Sequence, residues 1–459
     1  SPHHARARGN LLQCRLHLCD WRGRAELLSE VEALTLQGEQ CMQPFALLAA
    51  SDRPEVHRAA ARIEGRIPPL DSPPAHTHPP PPVNGRIRVA YCSADFHEHA
   101  TAYLMAELFE LHDRRDFEWI AVSFGPDDAS PMRARLARAF DRFIDAREWS
   151  EERIAQWLHD ERVDIAVDLK GHTRDHRMGL FRRRPAPIQV NYLGYPGTSG
   201  LECFDYILGD ATVTPMADAP HYTERIVQLP HSYMVNDRQR AVAADTPSRA
   251  DEKLPPQGFV FACFNNLHKL TPEVFAVWLR LLSQVPGSVL WLLGEAPAVQ
   301  ERLRALAQAQ GVAPSRLIFT ERRPLDRHLA RHRLADLFLD TQPYNAHTTA
   351  SDALWAGLPV LTCQGRSFAA RVAASLLKAA GLPELVTHSL ADYEARALAL
   401  ATRPGELAAL RERLRRDVPS SPLFDTPRFA RSIESAYHTM VDRWRQGLPP
   451  APFEVSDPH

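Results

Sequence analysis

Apolar residues recur along this chain with two spacings, and the alternation between them divides it into segments. From about residue 10 to 65 the spacing is three and four, in LLQCRLHLCDWRGRAELLSEVEAL and, after Pro54, in PEVHRAAARIEG, which predicts helices. Residues 67 to 83, IPPLDSPPAHTHPPPPV, read as a stiff, extended linker. From Arg86 short apolar runs alternate with helical patterns. IRVAYCS, FEWIAVSF, VDIAVDL, IQVNYLGY and FDYILGD predict strands, and AYLMAELFELH, MRARLARAF and EERIAQWLHD predict helices. Residues 237 to 257 are polar and Pro-bearing, and read as a connection. Alternation then resumes with the strands GFVFACF, SVLWLLG and RLIFTE and the helices PEVFAVWLRLLSQV and VQERLRALAQAQ. A helix around AARVAASLLKAA and a long one, PRFARSIESAYHTMVDRW, follow, and the tail after Gly447 reads as poorly ordered.

Buried-looking strands alternating with helices indicate α/β architecture, parallel sheets wrapped by helices. The division is residues 1–83 helical segment and linker, 84–240 first α/β half, 241–257 connection, 258–447 second half with the final helix, and 448–459 tail. Two halves of comparable size suggest a ligand held between them. In such sheets the loops after the strands form the ligand crevice. In the first half those loops carry Asp95, His97, His99, Lys170, His172, Thr173, Tyr195 and Thr198.

Charge and composition narrow the class. A net charge of -2 over 459 residues argues against a protein built to hold nucleic acid. No apolar run approaches the roughly 20 residues of a membrane helix, and no signal pattern precedes the first helix. The chain begins with Ser rather than Met, as a fragment or processed product would. Seven cysteines, odd in number and scattered without a C-x-x-C pair, suit reduced thiols in the cytoplasm and give no zinc pattern.

The chain is organised around Phe338 to Thr362, FLDTQPYNAHTTASDALWAGLPVLT: a strand, an irregular loop, a helix beginning near Thr349, and a second strand. Thr348 and Thr349 offer hydroxyls at a helix N-terminus, which favours an anion such as phosphate. Thr349 with Asp352 three residues on is equally a capping box. His99, after the first strand, has the residue type of a general base, with His97 competing, although the chain has 21 histidines. Lys269, after FNNLH, could neutralise a diphosphate with Asn266 beside it, or simply be a solvated lysine before a helix. His328 and Arg331 lie one turn apart and could clamp a flat base, or decorate an amphipathic surface helix. Gly194, Tyr195 and Pro196 lie in LGYPGTSG, a tight loop where backbone could approach a sugar or merely turn. No P-loop, G-x-G-x-x-G or D-x-D motif occurs, which points away from ATPases, ordinary dinucleotide enzymes and a magnesium-held diphosphate.

Together SADFHEHATAYL, RPAPIQVNYLGYPGTSG, FNNLHKLTPEVFAVWLRLL, HTTASDALWAGLPVLT and RVAASLL strongly resemble the catalytic region of the O-linked N-acetylglucosamine transferase family, from about Arg86 to Trp444. The N-terminal helices resemble the last, degenerate part of a tetratricopeptide superhelix. The resemblance implies a GT-B fold of two Rossmann-like halves facing a cleft. It also implies inverting transfer from UDP-N-acetylglucosamine to a Ser or Thr hydroxyl of a protein or peptide, with neither metal nor cofactor. By it, His99 is an active-site contact, with Asp168 or a water chain to the phosphate as alternative proton acceptors, and Lys269 stabilises departing UDP. Thr348 and Thr349 bind the diphosphate, His347 the sugar and phosphate, and Asp352 the ribose. His328 and Arg331 surround uracil, and Gly194, Tyr195 and Pro196 border the sugar.

Departures from the animal pattern fall at Asn266, Tyr344 (near the sugar's acetamide) and His172, and the large insertion between the halves is absent, which suggests a bacterial member. The rival by resemblance is a SPINDLY-type protein O-fucosyltransferase using GDP-fucose. His347, Asp352 and Gly197 favour the first, and Lys170-Gly171-His172-Thr173 leans to the second. A third possibility is an asparagine-linked glucosyltransferase of similar architecture, and a fourth a peptide-binding scaffold with weak catalysis.

Overall fold

A computed structural model describes residues 4–65, 78, 85–294 and 296–458. The expected Pro-rich linker lies, but for residue 78, outside the described residues. The first helices are α1 (Ala5–His17), α2 (Arg24–Leu36), α3 (Pro44–Leu47) and α4 (Pro54–Glu64). The unbroken helical pattern of the sequence is interrupted at 18–23, where Cys19 and Gly23 take left-handed φ of 48° and 59°.

Next come β1 (Ile87–Ser93), α5 (Ala100–Leu111), β2 (Phe117–Ser123), α6 (Pro131–Arg138), β3 (Arg142–Asp145), α7 (Glu151–Asp160), β4 (Ile165–Asp168), α8 (Met178–Arg182), β5 (Ile188–Asn191), β6 (Tyr206–Asp210) and β7 (Arg225–Leu229). The second series is β8 (Val260–Cys263), α9 (Pro272–Gln284), β9 (Val289–Leu293), α10 (Pro297–Ala309), β10 (Leu317–Thr320), α11 (Leu325–Arg331), β11 (Leu337–Leu339), α12 (Thr348–Trp355), β12 (Val360–Cys363), α13 (Val372–Ala379), β13 (Val386–Thr387), α14 (Leu390–Thr402) and α15 (Pro404–Asp417). The chain closes with α16 (Thr426–Arg445) and β14 (Phe453–Glu454).

The chain forms two compact units. One, made of the described residues of Thr35–Phe45, Pro54–Gln239 and Pro422–His459, holds the eight-stranded sheet β14-β7-β6-β5-β4-β1-β2-β3. The other, made of those of Ser1–Leu34, Ala46–Arg53 and Arg240–Ser421, holds the six-stranded sheet β10-β9-β8-β11-β12-β13. Every pairing is parallel. Central strands such as β4, β5, β8 and β12 are buried throughout, because helices cover both faces and leave no polar side to alternate.

In the eight-stranded unit, α16 packs on α5 and β7, and a buried polar chain joins it to β1 and the end of α5. The Tyr91 hydroxyl stands 3.1 Å from both Tyr437 Oη and His112 Nε2, and His112 Nδ1 lies 2.8 Å from Glu434. Burial lowers the His112 pKa, so the ring is neutral, donating to Glu434 and accepting from Tyr91 while stacked on Trp119 at 3.6 Å. The tail, expected to be loose, instead pairs with β7 as β14, and the Val455 N–H donates to the Gln228 carbonyl at 2.9 Å. Asp457 beyond it is bonded by Arg428 and His231.

Tyr437 is fully buried, and Tyr437→Ala is expected to cost about 3–5 kcal/mol in urea unfolding, through the lost ring volume.

Candidate active site

The six-stranded sheet has its topological switch at β8. The chain leaves β8 for β9 and β10 on one side and returns as β11 on the other, so the loops after β8 and β11 part at the strands' C-terminal edge. The β8 loop brings Asn265, Asn266 and Lys269, the last ending a 3-10 turn, Leu267–Lys269. The β11 loop brings Asp340, Tyr344, Asn345 and His347.

These two loops are tied to one another. Asn265 Nδ2 donates to Thr341 Oγ1 at 2.8 Å, and the Thr349 hydroxyl donates to Asn265 Oδ1. Asp340, 2 % exposed, accepts the backbone N–H of Thr341 (2.7 Å) and Ala346 (2.6 Å) and the Thr362 hydroxyl (2.6 Å). Its carboxylate thereby closes the loop from 341 to 346, at the cost of a pKa pushed upward by burial.

Lys269 is the cation of the site. Its Nζ lies 3.4 Å from the centroid of the buried Tyr344 ring and donates to the Asn345 carbonyl at 3.2 Å. Desolvation lowers its pKa to about 8, with Asp340 working in the opposite sense, so it remains mostly protonated at neutral pH. His347, with its ring 5.0 Å from that of Tyr344, has Nε2 3.1 Å from the Ala369 carbonyl. Burial and then Lys269 push its pKa well down, so the ring is neutral and donates through Nε2.

Helix α12 begins at Thr348, one residue earlier than the sequence suggests, with His347 at the N-cap position and no side-chain cap. The expected capping box does not form. Thr349 turns its hydroxyl to Asn265, and Asp352 is taken by Arg240 at 2.6 Å in an almost fully buried ion pair. The first-turn N–H groups of Thr348 and Thr349 are left beside His347 with the dipole of α12 behind them, an arrangement that suits an anion. Burial raises Asp352 to about 6 even with Arg240 beside it.

His328 and Arg331 do share a face of α11, but they bond to each other. Arg331 Nε and Nη2 lie 3.0 and 2.5 Å from His328 Nδ1. Arg331 is 1 % exposed and also donates to the Glu321 carbonyl at 2.8 Å. It is therefore neither a surface cation nor a plate open to a base; it orients His328, the half-buried member. Burial, with His332 and Arg331 nearby, takes His328 down to about 2, so it is a neutral ring. Asn266 is exposed, its Oδ1 accepting from Arg322 at 3.0 Å.

In the eight-stranded unit the loops after β1, β4 and β5 adjoin. His99 is the N-cap of α5, its Nδ1 accepting the Thr101 N–H at 3.2 Å. Burial lowers its pKa, Asp95 opposing, so the neutral ring carries its proton on Nε2. His97 Nδ1 instead lies 3.8 Å from Asp128. Lys170, 4 % exposed, places Nζ 2.7 and 2.8 Å from the two oxygens of Asp95. Asp168, 2 % exposed, accepts the backbone N–H of Lys170 and Gly171, both at 2.9 Å, and burial lifts it to about 6.

Gly194 is required by crowding, since a Cβ there would stand 2.0 Å from the Leu169 carbonyl oxygen. Tyr195 packs edge-on against His172 at 5.1 Å, and His172 Nε2 lies 2.7 Å from the Ser199 carbonyl. Pro196 completes this loop, which Glu224 clamps by accepting from Thr198 (2.5 Å) and the Ser199 N–H (2.6 Å). Among the described residues no three His, Cys, Asp or Glu side chains cluster in a metal-holding arrangement, and no helix is long and apolar enough to cross a membrane.

The profile of Glycosyl transferase family 41 matches residues 66–245 and 244–433. The chain belongs to that family. It is 36 % identical over 465 residues to the probable UDP-N-acetylglucosamine–peptide N-acetylglucosaminyltransferase SEC of Arabidopsis thaliana, covering 97 % of this chain and 47 % of the relative. It is 32 % identical over 371 residues to a probable enzyme of the same description, SPINDLY, of Solanum lycopersicum, covering 79 % of this chain and 39 % of that protein. A lysine-to-methionine mutant of the Thermobaculum terrenum O-GlcNAc transferase superposes with a TM-score of 0.82 at 31 % identity, over 98 % of this chain and 86 % of that one. The two Rossmann-like units are those of a GT-B glycosyltransferase. This family 41 chain spans less than half the length of the two curated relatives.

Arg240, Asn265, Asp340 and Asn345 escaped the sequence reading. Each acts through a partner far along the chain or through backbone, which the spacing of residue types does not signal.

Arg240→Ala strands a buried Asp352 and is expected to cost about 3–5 kcal/mol at pH 8. A folded-state carboxylate raised to about 6 loses its charge as pH falls, so the same variant should lose less at pH 5. Denaturant unfolding at the two pH values reads the difference, and an equal loss at both would remove Asp352 as its cause.

Proposed function

We propose that this protein is an inverting, metal-independent transferase that moves N-acetylglucosamine from UDP-N-acetylglucosamine to Ser or Thr hydroxyls of a protein or peptide. One observation carries the reading. A half-buried ammonium, Lys269, rests on the Tyr344 ring in the unit where α12 begins uncapped at Thr348 and Thr349. That is a seat for the charge a diphosphate gains on leaving. Relatives named as UDP-N-acetylglucosamine–peptide N-acetylglucosaminyltransferases support the donor and the acceptor class.

In this reaction the acceptor oxygen attacks the anomeric carbon as the bond to the β-phosphate oxygen breaks. The electron pair departs with UDP, where Lys269 and the N–H groups of α12 offset it. His347 lies against sugar and phosphate, its ring oriented by the Nε2–H bond to the Ala369 carbonyl, and His328 stands by the base with Arg331 behind it. Asp352 serves the ribose while paired with Arg240. Gly194, Tyr195 and Pro196 border the sugar.

His99 acts as a donor rather than as the base, because Nδ1 is engaged by Thr101 and Nε2 bears the proton. Asp168 is shut away with both oxygens accepting N–H bonds, which favours passage of the acceptor proton through water to the phosphate. A second reading, fucose from GDP-fucose, keeps the same leaving-group chemistry. It is favoured by the buried Lys170 of the KGHT sequence. A scaffold without turnover would keep the nucleotide and release none.

Lys269→Met is expected to fold and to lose at least about 10²-fold in UDP release from the donor. Wild-type turnover by that variant would end the leaving-group assignment. Calorimetry with UDP, GDP and their sugars should rank UDP tighter; tighter GDP favours the fucose reading.

The rate should also report the lysine's proton. Below about 8 Lys269 is charged and competent, and above it the charge is lost. The kcat/KM profile should therefore fall as pH rises through about 8, whereas in kcat the bound diphosphate holds the proton to higher pH. A flat alkaline profile, or one that Lys269→Met shares, would contradict this.

A further inference from the structure

Residues 4–53 contribute no strand and none of the donor-seat side chains, yet two parts of this segment hold the loops that carry them. At the end of α1, the His17 ring stacks on His268 at 4.8 Å, and the buried Cys19 thiol donates to the Leu267 carbonyl at 3.6 Å. Both contacts fall on the 3-10 turn that ends in Lys269. Further on, Ser51 Oγ and Arg53 Nη1 donate to the two oxygens of Glu32, at 2.5 and 3.1 Å, and fix the shape of Ser51-Asp52-Arg53. Asp52 between them accepts the backbone N–H of Arg366 at 2.8 Å and of Ser367 at 2.9 Å, one on each carboxylate oxygen.

The loop held by Asp52 lies between β12 and α13, outside any regular element. Its Ala369 carbonyl accepts from His347 Nε2 (3.1 Å) and from the Asn345 N–H (3.0 Å), and the Asn345 carbonyl in turn accepts from Lys269. Gly365 makes room for the carboxylate and for Ala370, since a Cβ there would stand 2.5 Å from Asp52 Oδ2 and 2.7 Å from Ala370 Cβ. We propose that Asp52 and the end of α1 are positioning groups for the diphosphate seat, so that the helical segment sets how well the nucleotide is held. This rests on the donor-site reading above.

The physical argument is short. Without Asp52 the N–H groups of Arg366 and Ser367 turn to water, and a hold on the loop that presents the Ala369 carbonyl is lost. A displacement of about 1 Å in His347 or Lys269 is enough to cost up to 10²-fold in rate. The coupling is reciprocal: whatever shifts the helical segment, such as a bound acceptor protein, alters nucleotide affinity, and nucleotide alters the affinity for that partner by the same factor.

The test compares Asp52→Ala, Asp52→Asn, Gly365→Ala and the Asp52→Ala/Gly365→Ala double variant with Tyr437→Phe. Tyr437 belongs to the eight-stranded unit, where its hydroxyl bonds that of Tyr91 at 3.1 Å. Calorimetry with UDP and with GDP, kcat and KM, and melting temperature are measured for each. Asp52→Ala and Gly365→Ala should each weaken the nucleotide roughly tenfold or more, Asp52→Asn less, and the double variant no more than the worse single. Tyr437→Phe should lower the melting temperature and keep affinity within about twofold. Wild-type nucleotide binding by Asp52→Ala, or equal loss in Tyr437→Phe, overturns the proposal. A wild type that prefers GDP overturns the donor alone, the positioning effect then being read from GDP, and one that binds neither overturns both.

Discussion

The six-stranded unit depends on one placement: a half-buried ammonium without a carboxylate against it. Lys269 is held by the face of Tyr344 and a single carbonyl, that of Asn345. Neither partner neutralises its charge, and burial has already taken its pKa down to about 8. The nearest acid, Asp340, spends its oxygens on two backbone N–H groups and Thr362, so it shapes the loop and leaves the cation short of an anion. A site built so gains most when a phosphate oxygen arrives, since the desolvation cost is met before binding.

The fold was legible because the strands are covered on both faces and so appear as unbroken apolar runs; β1, β4, β8 and β9 coincide with IRVAYCS, VDIAVDL, GFVFACF and SVLWLLG. β3 escaped notice because it is the edge strand of its sheet, half-exposed, with Arg142 and Asp145 at its ends. β14 escaped for a different reason. Phe453–Glu454 has no pattern of its own and is a strand only because β7 offers it an open edge.

In the candidate site, motif order pointed to loops that adjoin within each unit, but pair partners were hidden. Arg240 and Asp352 stand 112 residues apart, and Asp52 and Arg366 stand 314 apart, distances at which no spacing rule operates. His328 and Arg331 were visible as a pair because helical geometry joins them. Their division of labour was not, since only burial decides that Arg331 lies behind and His328 in front. The capping box failed likewise: Thr349 and Asp352 had the right spacing, yet each had a stronger partner in Asn265 or Arg240.

Tyr344 takes on a different meaning from its position in the motif. By resemblance it stands near the sugar's acetamide, where a departure from the animal pattern would bear on donor choice. In the structure one face of its ring is already given to the Lys269 ammonium, and the loop around it is closed by Thr341 Oγ1 donating to the Tyr344 carbonyl at 2.7 Å. A smaller side chain at 344 would remove the aromatic face from the cation before it changed any contact to a sugar. Selection between donors through this position would therefore act first on the leaving group, which UDP and GDP share. Under the proposed function the discrimination between them would fall instead to the base side, where His328 is a neutral ring locked by Arg331.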